Sequence, residues 1–303
     1  MSDYEEYAIE EIEEALSVLS VSHLLEKLSI YNKIINDNEI KGSLLFRGQA
    51  DTSYSLEASI FRKNLITKET ALINDLILQE PFEFGNHMTD FEQLVKMQHY
   101  GLPTRLMDLT TNPLIALYFA CSKHPDKDGE LIVFIETLQR PTQKEVKMFA
   151  ALAEYDGKSE GNFVDYFAKK GLIETSATPF EELVQRLQNQ FQNKYVPVVA
   201  PKNNERIKRQ NGAFLILGVD IKKEEPSYYI KNTFNLKDEL SDYVASGETI
   251  HESIPRYLVI PSDCKESILQ ELDRVGINEA FVYPELEHQT SYIKNKHNVK
   301  AGE

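Results

Sequence analysis

The 303-residue chain has no tryptophan, so its aromatic packing falls to 15 tyrosines and 15 phenylalanines. Cysteine is scarce as well. Cys121 and Cys264 lie far apart, with no CxxC between or around them, which excludes a disulfide framework and a thiolate metal cluster. Cys121, inside the apolar run ALYFAC, reads as a small buried hydrophobe. No apolar stretch reaches the ~18 residues of a membrane span. The acidic start MSDYEEYAIE lacks the basic residues that open a signal peptide. The expected location is therefore cytoplasmic and reducing, with no membrane contact. Neither HExxH nor HxH occurs and the seven histidines are scattered, so no metal site is expected. GxxxxGK[ST], GxGxxG and GxSxG are all missing, which argues against phosphate-loop ATPases, dinucleotide dehydrogenases and serine hydrolases. Positive charge is the remaining shortage: Lys and Arg number 33 against 48 Asp and Glu, a net charge of −15. A surface of that sign disfavours general binding to a nucleic-acid backbone, yet leaves room for a small basic recess.

What is present is a globular composition, 42% hydrophobic and 27% charged, enough apolar material for a sizeable core. Residues 1–40 carry ten acids and two lysines, with leucine and isoleucine at helical spacing. They read as an acidic helical extension that either covers the main domain or meets a protein partner. Residues 41–303 read as one α+β domain, a central mixed or split β-sheet flanked by helices. Strands are expected at Ser43–Phe46, 130–137, 195–201 and in the run FLIL ending at Leu217, with shorter ones near Tyr228–Ile230 and Tyr257–Ile260. Helices are expected over 67–78 and 90–99, the second stopped by Gly101, and another from Asn112-Pro113, a cap and a first-turn proline. Residues 142–193 read as a mostly helical insertion broken near Gly157, Gly161, Gly171 and Pro179. Phe281-Val282-Tyr283-Pro284 reads as extended, with a last helix after Glu285.

The most informative stretch is KMQHYGLPTRLMDLTTNPLIALYFAC at 96–121. It sets Gln98, His99, Thr104, Arg105, Asp108, Thr111 and Asn112 among residues of core type. Buried polar groups need hydrogen bonds and buried charges need partners. An Arg105–Asp108 ion pair follows if the stretch turns on itself.

Together with LLFRGQADTSYSL, this run resembles the FRG-domain family, named for a Phe-Arg-Gly signature that stands here at Phe46-Arg47-Gly48. QHYGLPTRLMDLTTNPLIALYFA, residues 98–120, is similar to the family's second signature. NNERIKRQNGAFLIL at 203–217 and VYPELEHQTSYI at 282–293 resemble its later segments. Leu109 stands where many relatives have tryptophan. The resemblance implies bacterial or phage origin, with some relatives linked to phage defence or toxin-like modules, and leaves the biochemical activity open. The layout of an early strand arginine, a middle polar motif and a late glutamate also resembles ADP-ribosyltransferases, although a Ser-Thr-Ser string and a late Glu-x-Glu or Gln-x-Glu pair are missing.

Each candidate residue has two readings. Arg47 either clamps a pyrophosphate or carboxylate through its planar fork or pairs internally with Asp108 or another acid. Gly48 admits close backbone approach, and Gln49 adds an amide. His99 serves as a general base or ribose contact, or interacts with the end of its helix. Gln98, Arg105, Arg206 and Gln210 complete the candidate ligand set. Asp108, Thr111 and Asn112 are expected to form a structural polar core. Glu285 is the candidate catalytic acid of the transferase alternative, or an acid favoured by a helix N-terminus. The leading reading is a noncatalytic nucleotide or anionic-ligand binding or sensor domain. The alternatives are an ADP-ribosyltransferase-like enzyme, the one case that calls for NAD as cofactor, and a protein-partner module without a small ligand. Arg47 and Arg105 are expected near one another at one sheet edge or crevice, where an open concavity shared by Arg47, His99 and Gln210 would favour a ligand site.

Overall fold

The computed structural model describes residues 16–85, 88–157, 163–176, 178–192, 194–202, 204–225, 228–232, 236, 243–244 and 253–298. Residues 1–15 of the acidic extension, Gly161 in the insertion and Asn203 of the third motif lie outside the described residues.

In chain order the helices are α1 (Val21–Asp37), α2 (Glu69–Gln79), α3 (Asp90–His99), α4 (Pro113–Cys121), α5 (Lys144–Ala151), α6 (Phe163–Lys169), α7 (Phe180–Phe191), α8 (Glu205–Arg209), α9 (Lys265–Arg274), α10 (Glu279–Val282) and α11 (Leu286–Asn298). The strands are β1 (Ser43–Gln49), β2 (Leu106–Thr110), β3 (Gly129–Glu136), β4 (Tyr195–Val199), β5 (Gly212–Leu217), β6 (Asp220–Glu225), β7 (Tyr228–Asn232), β8 (Tyr243–Val244), β9 (Ser253–Ile254) and β10 (Tyr257–Ile260). Six of them form one open sheet in the order β10-β3-β1-β2-β5-β4, and β6-β7 and β8-β9 form separate two-stranded ribbons.

The fold is α+β, and every strand pair in the main sheet is antiparallel rather than mixed. The sheet is also split. β1 pairs with β3 along its whole length, from Ser43↔Glu136 to Gln49↔Glu130. Its pairing with β2 is a single register, Phe46↔Thr110. Beyond that pair the two halves of the sheet part.

Period-two alternation sends side chains of β3 to opposite faces. Leu131, Val133 and Ile135 join Phe46, α4 and α9 in one core, while Ile132 and Phe134 join Leu45 and helices α3, α5, α6 and α7 in the other. Both faces are covered, which explains the unbroken burial of β3 up to Ile135. The amphipathic α1 lies on the first of these faces. Its Leu24, Leu28, Tyr31 and Ile34 are buried at helical spacing, and Ser20 caps its first turn by accepting from the His23 amide. Val18 donates to the carbonyl of Val259 at the edge strand β10. From there on, the acidic extension covers the domain.

Gly48 and Gly129 let α4 settle on the sheet. A Cβ on Gly48 would stand 1.8 Å from the carbonyl oxygen of Ala116, and one on Gly129 would stand 2.4 Å from that of Ala120. The close approach that Gly48 permits is therefore to a helix backbone rather than to a ligand. In the same layer, burial pushes the Cys121 thiol up to about 12, in keeping with an inert packing residue.

Candidate functional site

Arg47 occupies the opening between the sheet halves. Its Nη1 donates to the main-chain carbonyl of Asp108 at 2.8 Å, standing in for a ladder bond that the diverging strands do not make. Its Nε is enclosed and has no hydrogen-bond partner. Burial lowers the guanidinium pKa, nearby Asp108 opposes that shift and nearby Arg62 adds to it. Arginine nevertheless stays charged at any ordinary pH.

One side of this opening is a concavity of about 270 Å³. β1 contributes Phe46, Arg47 and Gly48, and β2 contributes Asp108, Leu109 and Thr110. Gln98 and His99 enter from the last turn of α3, Phe119 from α4, and Arg206 and Gln210 from α8 and its end. Five of the expected site residues, Arg47, Gln98, His99, Arg206 and Gln210, thus meet at one place.

Local interactions hold these groups. Thr89 and Glu92 form a reciprocal capping box that starts α3, and Gly101, at φ 90°, ends it. Gln98 spans the gap: its Nε2 donates to Asp108 Oδ1 at 2.9 Å, and its Oε1 accepts from the Thr104 hydroxyl. Asn204 caps α8, its Oδ1 accepting from the amides of Arg206 at 2.7 Å and Ile207 at 3.3 Å. That orientation turns its Nδ2 toward His99 Nε2, 3.0 Å away. Nε2 therefore accepts, and in the neutral ring the proton resides on Nδ1. A general base acting through Nε2 would have to give up this bond.

The C-terminal helices back the α8 side. Gln210 Nε2 donates to the Val282 carbonyl at 3.1 Å, and Arg209 Nη1 donates to the Ala280 carbonyl at 3.2 Å. The Arg206 guanidinium carbon lies 4.9 Å from the centre of the Tyr283 ring, whose other neighbours include a stacked His288 at 4.4 Å. Of the run 281–284 expected to be extended, Phe281 and Val282 instead end a short helix, Glu279–Val282, which Asn278 caps through the Phe281 amide, while Tyr283 is extended.

Several expectations need correcting. Arg105 is fully buried and points away from the concavity. Its Nε donates to Glu69 Oε1 at 2.8 Å, its Nη2 pairs with Glu69 Oε2, and its Nη1 donates to the Leu217 carbonyl at 3.3 Å. Its partner is thus Glu69 at the start of α2, not Asp108, because 106–110 forms a strand rather than a turn and carries Asp108 to the surface. Asp108 and Thr111 are exposed and Asn112 is half-buried. None is core: Asn112 caps α4 through the Leu114 amide, and Thr111 hydrogen-bonds the Asn211 carbonyl. The buried polar residues of this region are instead Glu69, Thr104, Arg105 and Thr110. Gln49 is buried at the end of β1, away from the concavity's lining, and its Nε2 has no hydrogen-bond partner. Glu285 also stands off the lining. Its Oε1 lies 4.0 Å from Arg206 Nη1, and its Oε2 is enclosed without a hydrogen-bond partner.

Sequence reasoning missed Glu69, Asn204 and Phe119. Asn204 had a legible signal, an asparagine directly before the acid that opens a short helix. Glu69, 36 residues before its arginine, had none.

Among the described residues no group of His, Cys, Asp and Glu is arranged to hold a metal ion. No described helix is long and apolar enough to cross a membrane. No curated protein and no solved structure matched the chain. The family model of the FRG domain matches residues 42–129, the span that holds Arg47, Gln98, His99, Asp108 and the glycine seat of α4. The chain carries an FRG domain.

Proposed function

We propose that this FRG domain is a noncatalytic binding or sensor module for a small anionic ligand of the phosphate or nucleotide class, seated where the sheet splits. One observation carries the reading: Arg47 is half-buried at the wall of the concavity, makes one hydrogen bond through Nη1, and has an enclosed Nε without a partner. A guanidinium is costly to enclose without acceptors, and an anion supplies them in a fork-shaped geometry. Arg206 and the imidazole of His99 border the same space. Two arginines, against the single carboxylate of Asp108, line this space in a chain whose net charge is −15. The transferase alternative asks for a carboxylate over the bound ligand, whereas Glu285 sits behind Arg206.

The test is calorimetric titration of the full chain with AMP, ADP, ADP-ribose and NAD, beside Arg47→Ala. Binding is expected for the wild type. The variant should lose at least about tenfold in affinity while its circular dichroism is unchanged and its stability drops by only about 1 kcal/mol. Absence of binding across all four compounds overturns the proposal. Release of nicotinamide from NAD would replace it with the transferase alternative.

A further inference from the structure

The opening in the sheet has a second side. Beyond Arg47, Gln98 and Asp108 lies another concavity, of about 330 Å³, bordered by Glu57, Ser59, Arg62, the turn Gly101–Pro103, Leu106 and Met107. The geometry points to a two-lobed binding site, in which Arg47 is shared and Arg206 and Arg62 each take one anionic group of the same ligand. This inference rests on the anion-binding reading and adds the ligand class: a compound bearing two separate phosphate-class groups.

Arg62 is the group in the second lobe with capacity to spare. Ser59 is already engaged, its Oγ donating to the Thr104 carbonyl at 3.3 Å and accepting from the Thr104 amide at 3.1 Å. Gln98 is committed to Thr104 and Asp108. The carboxylates here also have donors, Asp108 from Gln98 and Glu57 from the Ser55 hydroxyl at 2.8 Å. Arg62 meets Glu57 only at 3.9 Å, and its side chain is 55% exposed. A ligand can draw on such a guanidinium without breaking a close ion pair.

The backbone holds Arg62 in this place. The turn-rich run 59–68 is kinked at Arg62–Asn64, where Lys63 and Asn64 take φ values of 53° and 57°. Two successive non-glycine residues in the left-handed region are unfavourable for L-residues, and such conformations cluster at binding sites. Arg62 is also close enough to Arg47 to disfavour the charge there. An anion placed between two cations offsets such repulsion.

The experiment uses the full chain, with AMP as a one-phosphate probe and adenosine 3′,5′-bisphosphate as a two-phosphate probe, in calorimetric titrations. The bisphosphate should bind about tenfold more tightly than AMP. Arg62→Ala should remove that advantage and leave AMP affinity within about twofold, and Arg62→Lys should restore part of it. Arg62 lies at the surface, so circular dichroism and melting should match the wild type. Equal affinity for the two probes, or a bisphosphate affinity indifferent to Arg62→Ala, overturns the two-lobed site. AMP binding that depends on Arg47, with no gain from the second phosphate, defeats this inference and leaves the single-anion reading standing. Failure of both probes to bind brings down both.

Discussion

Two arginines of the FRG domain, on adjacent strands or just before them, live in opposite circumstances. Arg105 is enclosed with its charge fully met: Glu69 takes two of its hydrogen bonds and Leu217 a third, and the Arg105 carbonyl in turn accepts from the Leu217 amide. Arg47 is half-buried, has one bond to a neutral carbonyl and retains an unpartnered nitrogen. Both are embedded in apolar sequence, so residue type and neighbours do not tell them apart. The difference is made by a distant carboxylate. Arg105 is supplied by an acid on α2, and its site is closed. At Arg47 the strands part, and the site is an open concavity.

Removing that carboxylate should have the largest effect. Glu69→Ala strands a buried guanidinium and should cost about 3–5 kcal/mol, read from the denaturant midpoint. Replacing both partners, Glu69→Leu with Arg105→Met, should recover most of the loss, because an apolar pair of similar volume removes the stranded charge. Arg47→Ala, in contrast, should cost about 1 kcal/mol. If the two single variants were equally destabilised, Arg47 would be a structural residue and the contrast between the sites would collapse.

A second contrast separates two glycines of the signature motifs. Gly48 is constrained by space: the added methyl would meet the backbone oxygen of Ala116. Gly48→Ala should therefore shift α4 and cost about 1–3 kcal/mol. Ala116→Gly should not rescue it, since the clash is with main chain. Gly101 has open space around its Cβ position but a φ of 90°, so Gly101→Ala should cost about 1–2 kcal/mol through torsion alone. Rescue of Gly48→Ala by Ala116→Gly would mean that the helix can move off the sheet, and the glycine would then be free for a ligand.

What was legible in the sequence was local. Asn112-Pro113 announces the start of α4, Gly101 the end of α3, and LIVFI the central strand β3, because each depends on a few consecutive residues. The convergence of Arg47, His99 and Gln210 was a condition the ligand reading required, not a pattern that residue spacing displays. Strand β2 was not legible: LMDLT is short, and only Asp108 in it is exposed, so no alternation marks it. That one omission misplaced two residues, making Arg105 a ligand contact and Asp108 both its partner and a core group. The Glu69 pairing is a long-range contact between helix and strand that no spacing rule reaches.

The smallest expected effect concerns the border between structure and function at Asn204, which touches both. Its Oδ1 caps α8 and its Nδ2 donates to His99. Asn204→Ala loses both contacts and should cost about 1 kcal/mol, the usual worth of a cap. Asn204→Asp divides the two roles. The carboxylate keeps the cap acceptor and adds negative charge at the helix start, so stability should stay within about 0.5 kcal/mol of wild type. It has no proton to donate, however, and accepts from the ring instead. Histidine nitrogen-15 shifts should then show His99 moving its proton from Nδ1 to Nε2. If His99 presents a fixed hydrogen-bonding pattern to an anionic ligand, AMP affinity in Asn204→Asp should fall more than in Asn204→Ala, against the order of their stabilities. The added negative charge also repels an anion, so Asn204→Gln, which retains the amide at a greater reach, serves as the neutral control. Identical affinity in all three variants would make His99 a passive part of the wall and confine ligand recognition to the arginines.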